Sequence, residues 1–381
     1  MHTAQGLSPA LFVKHASDVA MFYGFKPFRH IEQELKQKRE KGNHTFTSTI
    51  DTCARHTQLR NPEPSLAFYA SAAPSHVPPG IVEREVGEFG LHVVGAQDSL
   101  GEILLLKTLF SILSEWGTQV ARVRVNALGD RDSKLRFERE LTLYVRKHAH
   151  LMDDSCKKAL ASNPLGMYVC TNDSCKQVLH EGPRAMNFLS EKSRAHFREV
   201  LEYVESLGLP YELDDLLIGD EREPRVVFAL DLVALDATVV AGVGGRYDEY
   251  VRRRTNRKDG HAVSASIFFK KKGMVKSGFV VTPIAQAPKV YFVQLGLRAK
   301  LQGLTVVDMF RQAHVPVAQS FDPKSLAPQL QCARDQGVSH LLIMGQREAL
   351  DGTIIVRSTT NSSQQILALS MLPRFLKTLK V

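Results

Sequence analysis

Between residues 241 and 251 the chain reads AGVGGRYDEYV, its densest run of residue types that could do chemistry. Gly244 and Gly245 are followed at once by Arg246, Tyr247 and Asp248. Adjacent glycines let a backbone turn tightly or let a ligand come close, and they serve a plain strand crossing equally well. Arg246 and Asp248 carry the charges for a local ion pair. Next come Arg252, Arg253, Arg254, Arg257 and Lys258, then Lys270, Lys271 and Lys272. A solvated loop is one reading of these basic runs. The other is a set of phosphate contacts for a nucleic acid, whose binding would fall steeply with salt. Cys170 and Cys175 are separated by four residues, with no second Cys or His pair at zinc-ribbon spacing, so free thiols and no metal site are expected. Cys332 falls on a helical stretch, where a structural thiol is expected. No Walker loop, HExxH helix or G-x-S-x-G elbow is present, and no cofactor is expected.

The elements that must position these residues follow from length and pattern. At 381 residues the chain is long enough for two or three domains, and 44% hydrophobic with 23% charged residues is ordinary globular composition. The net charge of +9 favours polyanionic partners. No apolar run reaches the length of a membrane helix and no secretory leader is recognisable, so a cytoplasmic protein without a membrane partner is expected. Residues 9–24 carry an apolar stripe at helical spacing. The stretch 36–79 is weakly patterned, apart from a short apolar run near Leu66. Strong helices are expected over 99–117, with Ser99 and Glu102 as a capping box, over 134–149, and over 190–207. Strands are expected around 89–95 and over 120–130, the latter ending in a Gly-Asp turn, and as a pair at 225–235 and 237–242. Past a linker at 282–288 the chain alternates strand and helix, the pattern of a parallel α/β sheet, and 366–379 reads as a closing helix.

Several segments, in order, resemble histidyl-tRNA synthetases, and the likeness covers about residues 82–381. They are EREVGEFGLHVVG at 83–95, RVNALGD at 124–130, NPLGMY at 163–168, the helix from Ser190, AGVGGRYDEYV at 241–251, and 319–357 at the C-terminal end. The resemblance implies an α+β class II synthetase-like core, an antiparallel sheet flanked by helices, over residues 1–282 with a mostly helical insertion near 130–210. An α/β anticodon-binding-like domain at 289–381 follows. It also implies a homodimer and a ligand pocket at Gly244, Gly245, Arg246, Tyr247, Arg225 and Glu88.

The same resemblance exposes departures. Amino-acid activation brings carboxylate and phosphate charges together and calls for fixed arginines. Where the family carries a phosphate-gripping arginine, residues 70–85 read ASAAPSHVPPGIVERE. The family's Arg-Gly-Leu-Asp-Tyr-Tyr falls on Ile218, Gly219, Asp220, Glu221, Arg222 and Glu223, and its last arginine on the Phe268 to Lys271 stretch. Glu88 and His92 replace a glutamine and a glutamate. From these losses the sequence reads as no enzyme, with no catalytic residue: a histidyl-tRNA synthetase-like protein in a binding or regulatory role with tRNA or another structured nucleic acid. Two alternatives stand beside it. One is a protein-interaction subunit like the regulatory subunit of ATP phosphoribosyltransferase, or a synthetase accessory; the other is a divergent active ligase.

Overall fold

The computed structural model describes residues 8–35, 44–59, 64–154, 156–157, 164–170, 172–233, 238–271, 288–319, 326–361 and 363–379. Eight strands build the first sheet: β1 (Lys26–Pro27), β2 (Ser65–Ser71), β3 (Val86–Val94), β4 (Gln119–Ala127), β5 (Tyr211–Leu213), β6 (Val226–Val233), β7 (Val239–Arg246) and β8 (Ala262–Lys270). Their order is β1-β2-β3-β8-β7-β6-β4-β5. The two edge pairs, β1 with β2 and β4 with β5, are parallel, and every other pairing is antiparallel.

Every residue of β3 is buried, because helices cover both faces of the sheet. A strand in that position loses the polar alternation of a half-exposed one, yet its side chains still alternate between faces. Phe89, Leu91 and Val93 join the core under the helix Leu100–Trp116, together with Val263, Ala265, Ile267 and Phe269 of β8. Val94 and, from β2, Ala67 and Tyr69 pack on the other face against Phe46, Ile50 and Cys53 of the helix Phe46–Leu59. Glu88, Gly90 and His92 share the parity of Val94 and so face the second helix. The candidate site lies on that face.

A second sheet, in the order β10-β9-β11-β12-β13, comprises β9 (Val290–Gln294), β10 (Val317–Gln319), β11 (His340–Met344), β12 (Thr353–Ser358) and β13 (Gln364–Ala368). Its first three strands are parallel and its last two antiparallel. An antiparallel-dominated sheet flanked by helices, followed by an α/β sheet, is the fold class expected. Between β4 and β6 a separate apolar cluster, including Phe137, Leu141, Met152, Met167 and Val178, holds the helices Arg131–Lys147 and Asp173–His180.

Four expectations change. Ser99 makes no cap; its hydroxyl donates to Glu199 Oε2 at 2.7 Å, while Glu102 is buried and turned to Arg246. Arg252, Arg253 and Arg254 end a helix, Asp248–Thr255, rather than lying in a loop. Ile366 belongs to β13, whose ladder with β12 absorbs the start of the expected closing helix, leaving Leu372–Thr378. The weakly patterned N-terminal stretch contains the helix Phe46–Leu59 and strand β2, stabilised by tertiary packing rather than by local pattern. Residues 282–287 of the expected linker, and Lys272, lie outside the described residues.

Candidate functional site

Glu88 projects from the middle of the sheet into a buried polar cluster. Tyr69 Oη donates to Glu88 Oε1 at 2.8 Å and Ser266 Oγ to the same oxygen at 2.5 Å. Among the described residues Glu88 Oε2 is buried with no hydrogen-bond partner. A buried carboxylate oxygen without a donor costs kilocalories, so this is the feature of the cluster that asks for a ligand. Burial drives the Glu88 carboxyl above its ordinary range, against the pull of Ser266, Tyr69 and the Arg222 charge.

Tyr69 has room because the residue paired with it on β3 is Gly90. A Cβ at Gly90 would sit 2.2 Å from the Tyr69 ring. His92, one repeat further along β3, lies between Thr49 Oγ1 at 2.7 Å and Ser264 Oγ at 2.7 Å and stacks on Tyr69. Burial first, and Arg222 second, push its imidazole down to about 3, so it is neutral near pH 7.

Arg222 completes the cluster and is 5% exposed. Its guanidinium carbon is 4.0 Å from the centre of the Phe46 ring and 4.8 Å from that of Tyr247, and its Nε donates to both oxygens of Asp220 at 2.9 Å. A guanidinium between two aromatic faces is a desolvated cation–π arrangement. It places a fixed positive charge near Glu88, from the very segment in which the sequence comparison finds an arginine lost. His76 stands at the margin, its Nδ1 3.3 Å from Glu221 Oε1.

The residues named from sequence divide between two places. Glu88 and Tyr247 belong to the cluster around Arg222. Arg246 and Arg225 form a separate buried ion network. Arg246 donates to Glu102 at 2.6 and 2.5 Å and to the carbonyls of Ala96 and Asp98, and reaches Asp248 at 3.4 Å. Arg225 Nη1 donates to Asp248 Oδ2 at 3.0 Å. Burial opposes ionisation of Glu102, but Arg246 and then His196 bring its carboxyl down to about 2. Gly244 and Gly245 lie in β7, where a Cβ on Gly244 would stand 2.4 Å from the Phe228 ring and 2.6 Å from the Ser264 carbonyl. Close strand packing accounts for that glycine without a ligand.

The four arginines and Lys271 are engaged within the chain. Arg252 pairs with Glu249 at 3.0 Å, Arg253 with Glu223 at 3.2 Å, Arg254 with Asp51 and Arg257 with Asp259, the last two through Nε at 2.8 Å. Lys271 Nζ donates to the Ala72 carbonyl at 2.6 Å, and Lys258 and Lys270 are exposed. Cys170 and Cys175 meet Cys156 and Asp153. No described helix is long and apolar enough to cross a membrane.

No family model matches the chain. Among curated proteins it is similar to the histidine–tRNA ligase of Chlorobium phaeovibrioides, 27% identical over 298 residues, 77% of this chain and 70% of that one. It is also similar to that of Halothermothrix orenii, 24% identical over 344 residues, 88% and 82% of the two chains. Among solved structures, apo histidyl-tRNA synthetase from S. aureus matches with a TM-score of 0.47 and 18% identity over 95% of this chain and 93% of that one. These relatives overturn the expectation that the chain is not an enzyme, because each curated one is named a ligase. A buried arginine, Arg222, does stand four residues from the position at which an arginine was counted lost, so the count of missing charges by aligned position alone did not describe the folded cluster.

Proposed function

We propose that this chain, a histidyl-tRNA synthetase-like class II synthetase paralogue, recognises histidine at the Glu88–Arg222 cluster and tRNA or another structured RNA at its surface. The carrying observation is the bare Glu88 Oε2, buried among Tyr69, His92, Phe46 and Tyr247 beside a fixed cation. Histidine has the matching groups: N–H donors on imidazole and ammonium for Glu88, an aromatic ring for the box, and a carboxylate for Arg222. A cationic donor stabilises the ionised form of Glu88, so histidine affinity should fall as pH drops through the raised Glu88 pKa.

The RNA half of the proposal is supported by the name of the relatives and by the charge of +9. The intramolecular pairs of the arginines do not oppose it. Exposed ion pairs are worth about 0–1 kcal/mol, so phosphates compete with Asp51, Glu223 and Asp259. Pairing with a second copy of the chain, as the resemblance implies, belongs to the same reading.

Calorimetric titration of histidine into wild type and Glu88→Gln tests the cluster, and ATP–pyrophosphate exchange tests what the chain does with it. Wild type should bind, and the variant should lose at least about tenfold, the ~1.4 kcal/mol of a modest hydrogen bond to a charged group. Histidine-dependent exchange would make the amino acid a substrate; binding without exchange would make it an effector. Absence of histidine binding to folded protein would defeat the proposal.

A further inference from the structure

Away from that cluster, the region between β4 and β6 gathers three of the five cysteines, Cys156, Cys170 and Cys175. Cys156 lies in the first helical turn after Asp153, whose Oδ1 accepts the Cys156 N–H at 2.8 Å. Cys170 follows the 3₁₀ segment Pro164–Val169, and its N–H donates to the Met167 carbonyl at 3.0 Å. Cys175 sits in the first turn of the helix Asp173–His180, where the Asn172 side chain caps the N–H groups of Ser174 and Cys175. The three thiol sulfurs and one Asp153 carboxylate oxygen all lie within 4.8 Å of one another, and Cys156 and Cys175 are buried. Cys156 Sγ is 2.6 Å from Cys170 Sγ.

We propose that Asp153, Cys156, Cys170 and Cys175 form a structural zinc site. The donor set selects the ion: soft thiolates with one carboxylate suit Zn²⁺, whereas Mg²⁺ and Ca²⁺ take oxygen shells. Size sets what must move: four ligands at Zn–S distances of about 2.3 Å stand about 3.8 Å apart in a tetrahedron, inside the 4.8 Å limit of the group, so Cys156 and Cys170, now 2.6 Å apart, separate to admit the ion. Four protein ligands close the coordination shell, which makes the site structural rather than catalytic. Binding converts Zn²⁺ and up to three thiols into thiolate complex and released protons, with no change of oxidation state. The local need is plain: between residues 149 and 180 the described chain has short 3₁₀ segments, a few helical residues at Asp154, Cys156 and Lys157 and one eight-residue helix, joined by the small cluster of Met152, Met167, Val178 and Leu179. A metal would join three of these pieces at one point.

The test uses the full chain, reduced, stripped with chelator and refilled with Co²⁺ or Zn²⁺. One Co²⁺ per chain is expected, with the thiolate charge-transfer band and the intense visible bands of tetrahedral cobalt. Cys170→Ser and Cys175→Ser should each lower the charge-transfer intensity, and Cys332→Ser should leave it unchanged. Asp153→Asn keeps all three thiols and so guards against a variant that fails to fold; it should keep the band while weakening Zn²⁺ at least about tenfold, since even outer-shell partners contribute that much. The proposal is overturned if reduced, folded protein takes up no metal, if the bands survive Cys170→Ser intact, or if Cys156 and Cys170 close to a disulfide and the reduced form binds nothing.

Discussion

Glu102 shows how one side chain can be legible in kind and misread in role. Three residues after Ser99 it fits a capping box, yet it is fully buried and its two oxygens receive Arg246, with His196 on the first. Removing one member of a buried ion pair leaves the other uncompensated, so Glu102→Gln should lower unfolding free energy by about 3 kcal/mol or more in denaturant titrations at neutral pH. The pH profile gives a second readout. The Glu102 carboxyl is depressed from an ordinary 4.5 to about 2 in the folded chain. Its contribution is therefore complete above about pH 4.5 and is lost as pH falls toward 2, and the variant should show a flatter profile across that window. Arg222 is the converse case. Its position looked like a loss because it stands four residues from the expected arginine, but a short turn flanked by Asp220 and Glu223 lets the guanidinium enter the cluster. The local run, an arginine among Asp220, Glu221 and Glu223, marks a charged turn without announcing which cluster it enters.

The pairing of β2 with β3 decides the shape of the cluster. Register brings Tyr69 opposite Gly90 and Ser71 opposite Glu88, and the Tyr69 hydroxyl reaches Glu88 only because its ring lies over the glycine. A methyl group at Gly90 must displace that ring. Gly90→Ala should cost about 1–3 kcal/mol of stability, the usual penalty for overpacking, and should weaken histidine binding alongside it, as read by calorimetric titration. Alternation also explains why a continuous apolar-looking strand such as β3 carries Glu88 and His92: both point to the face under the helix Phe46–Leu59, where Tyr69, Ser264, Ser266 and Thr49 satisfy all but one of their polar atoms.

Across the whole molecule, the core of the second sheet is continuous with that of the first in one apolar cluster, and buried charges reinforce the join. Asp308, on the helix Leu297–Gln312, receives Tyr23 Oη and Lys107 Nζ from the N-terminal part and is bonded by Arg311 at 3.1 Å, while Arg311 also meets Glu115. Tyr23 Oη in turn lies 2.8 Å from Ser111 Oγ. Burial, and then Asp308, hold the Tyr23 hydroxyl well above its ordinary pKa, so it stays protonated and keeps donating. Asp308→Ala removes the anion that Lys107 and Arg311 share and leaves Arg311 its pair with Glu115. Scanning calorimetry should show the second sheet melting earlier and separately from the first, where wild type unfolds in one transition.

Strands, helices and the two-part order of the chain were carried by local pattern, because backbone hydrogen bonding and side-chain period act within about a dozen residues. That sufficed for β3, β4, β6, β7, the strong helices at Leu100–Trp116 and Glu191–Ser206, and the strand-helix alternation after residue 289. Function was different. Which arginine enters the cluster, which cysteines meet, and which acid neutralises Arg246 depend on contacts separated by tens to more than a hundred residues, as with Arg246 and Glu102. Burial multiplies the strength of such charge pairs and is itself a property of the packed tertiary structure, so no local spacing could announce them.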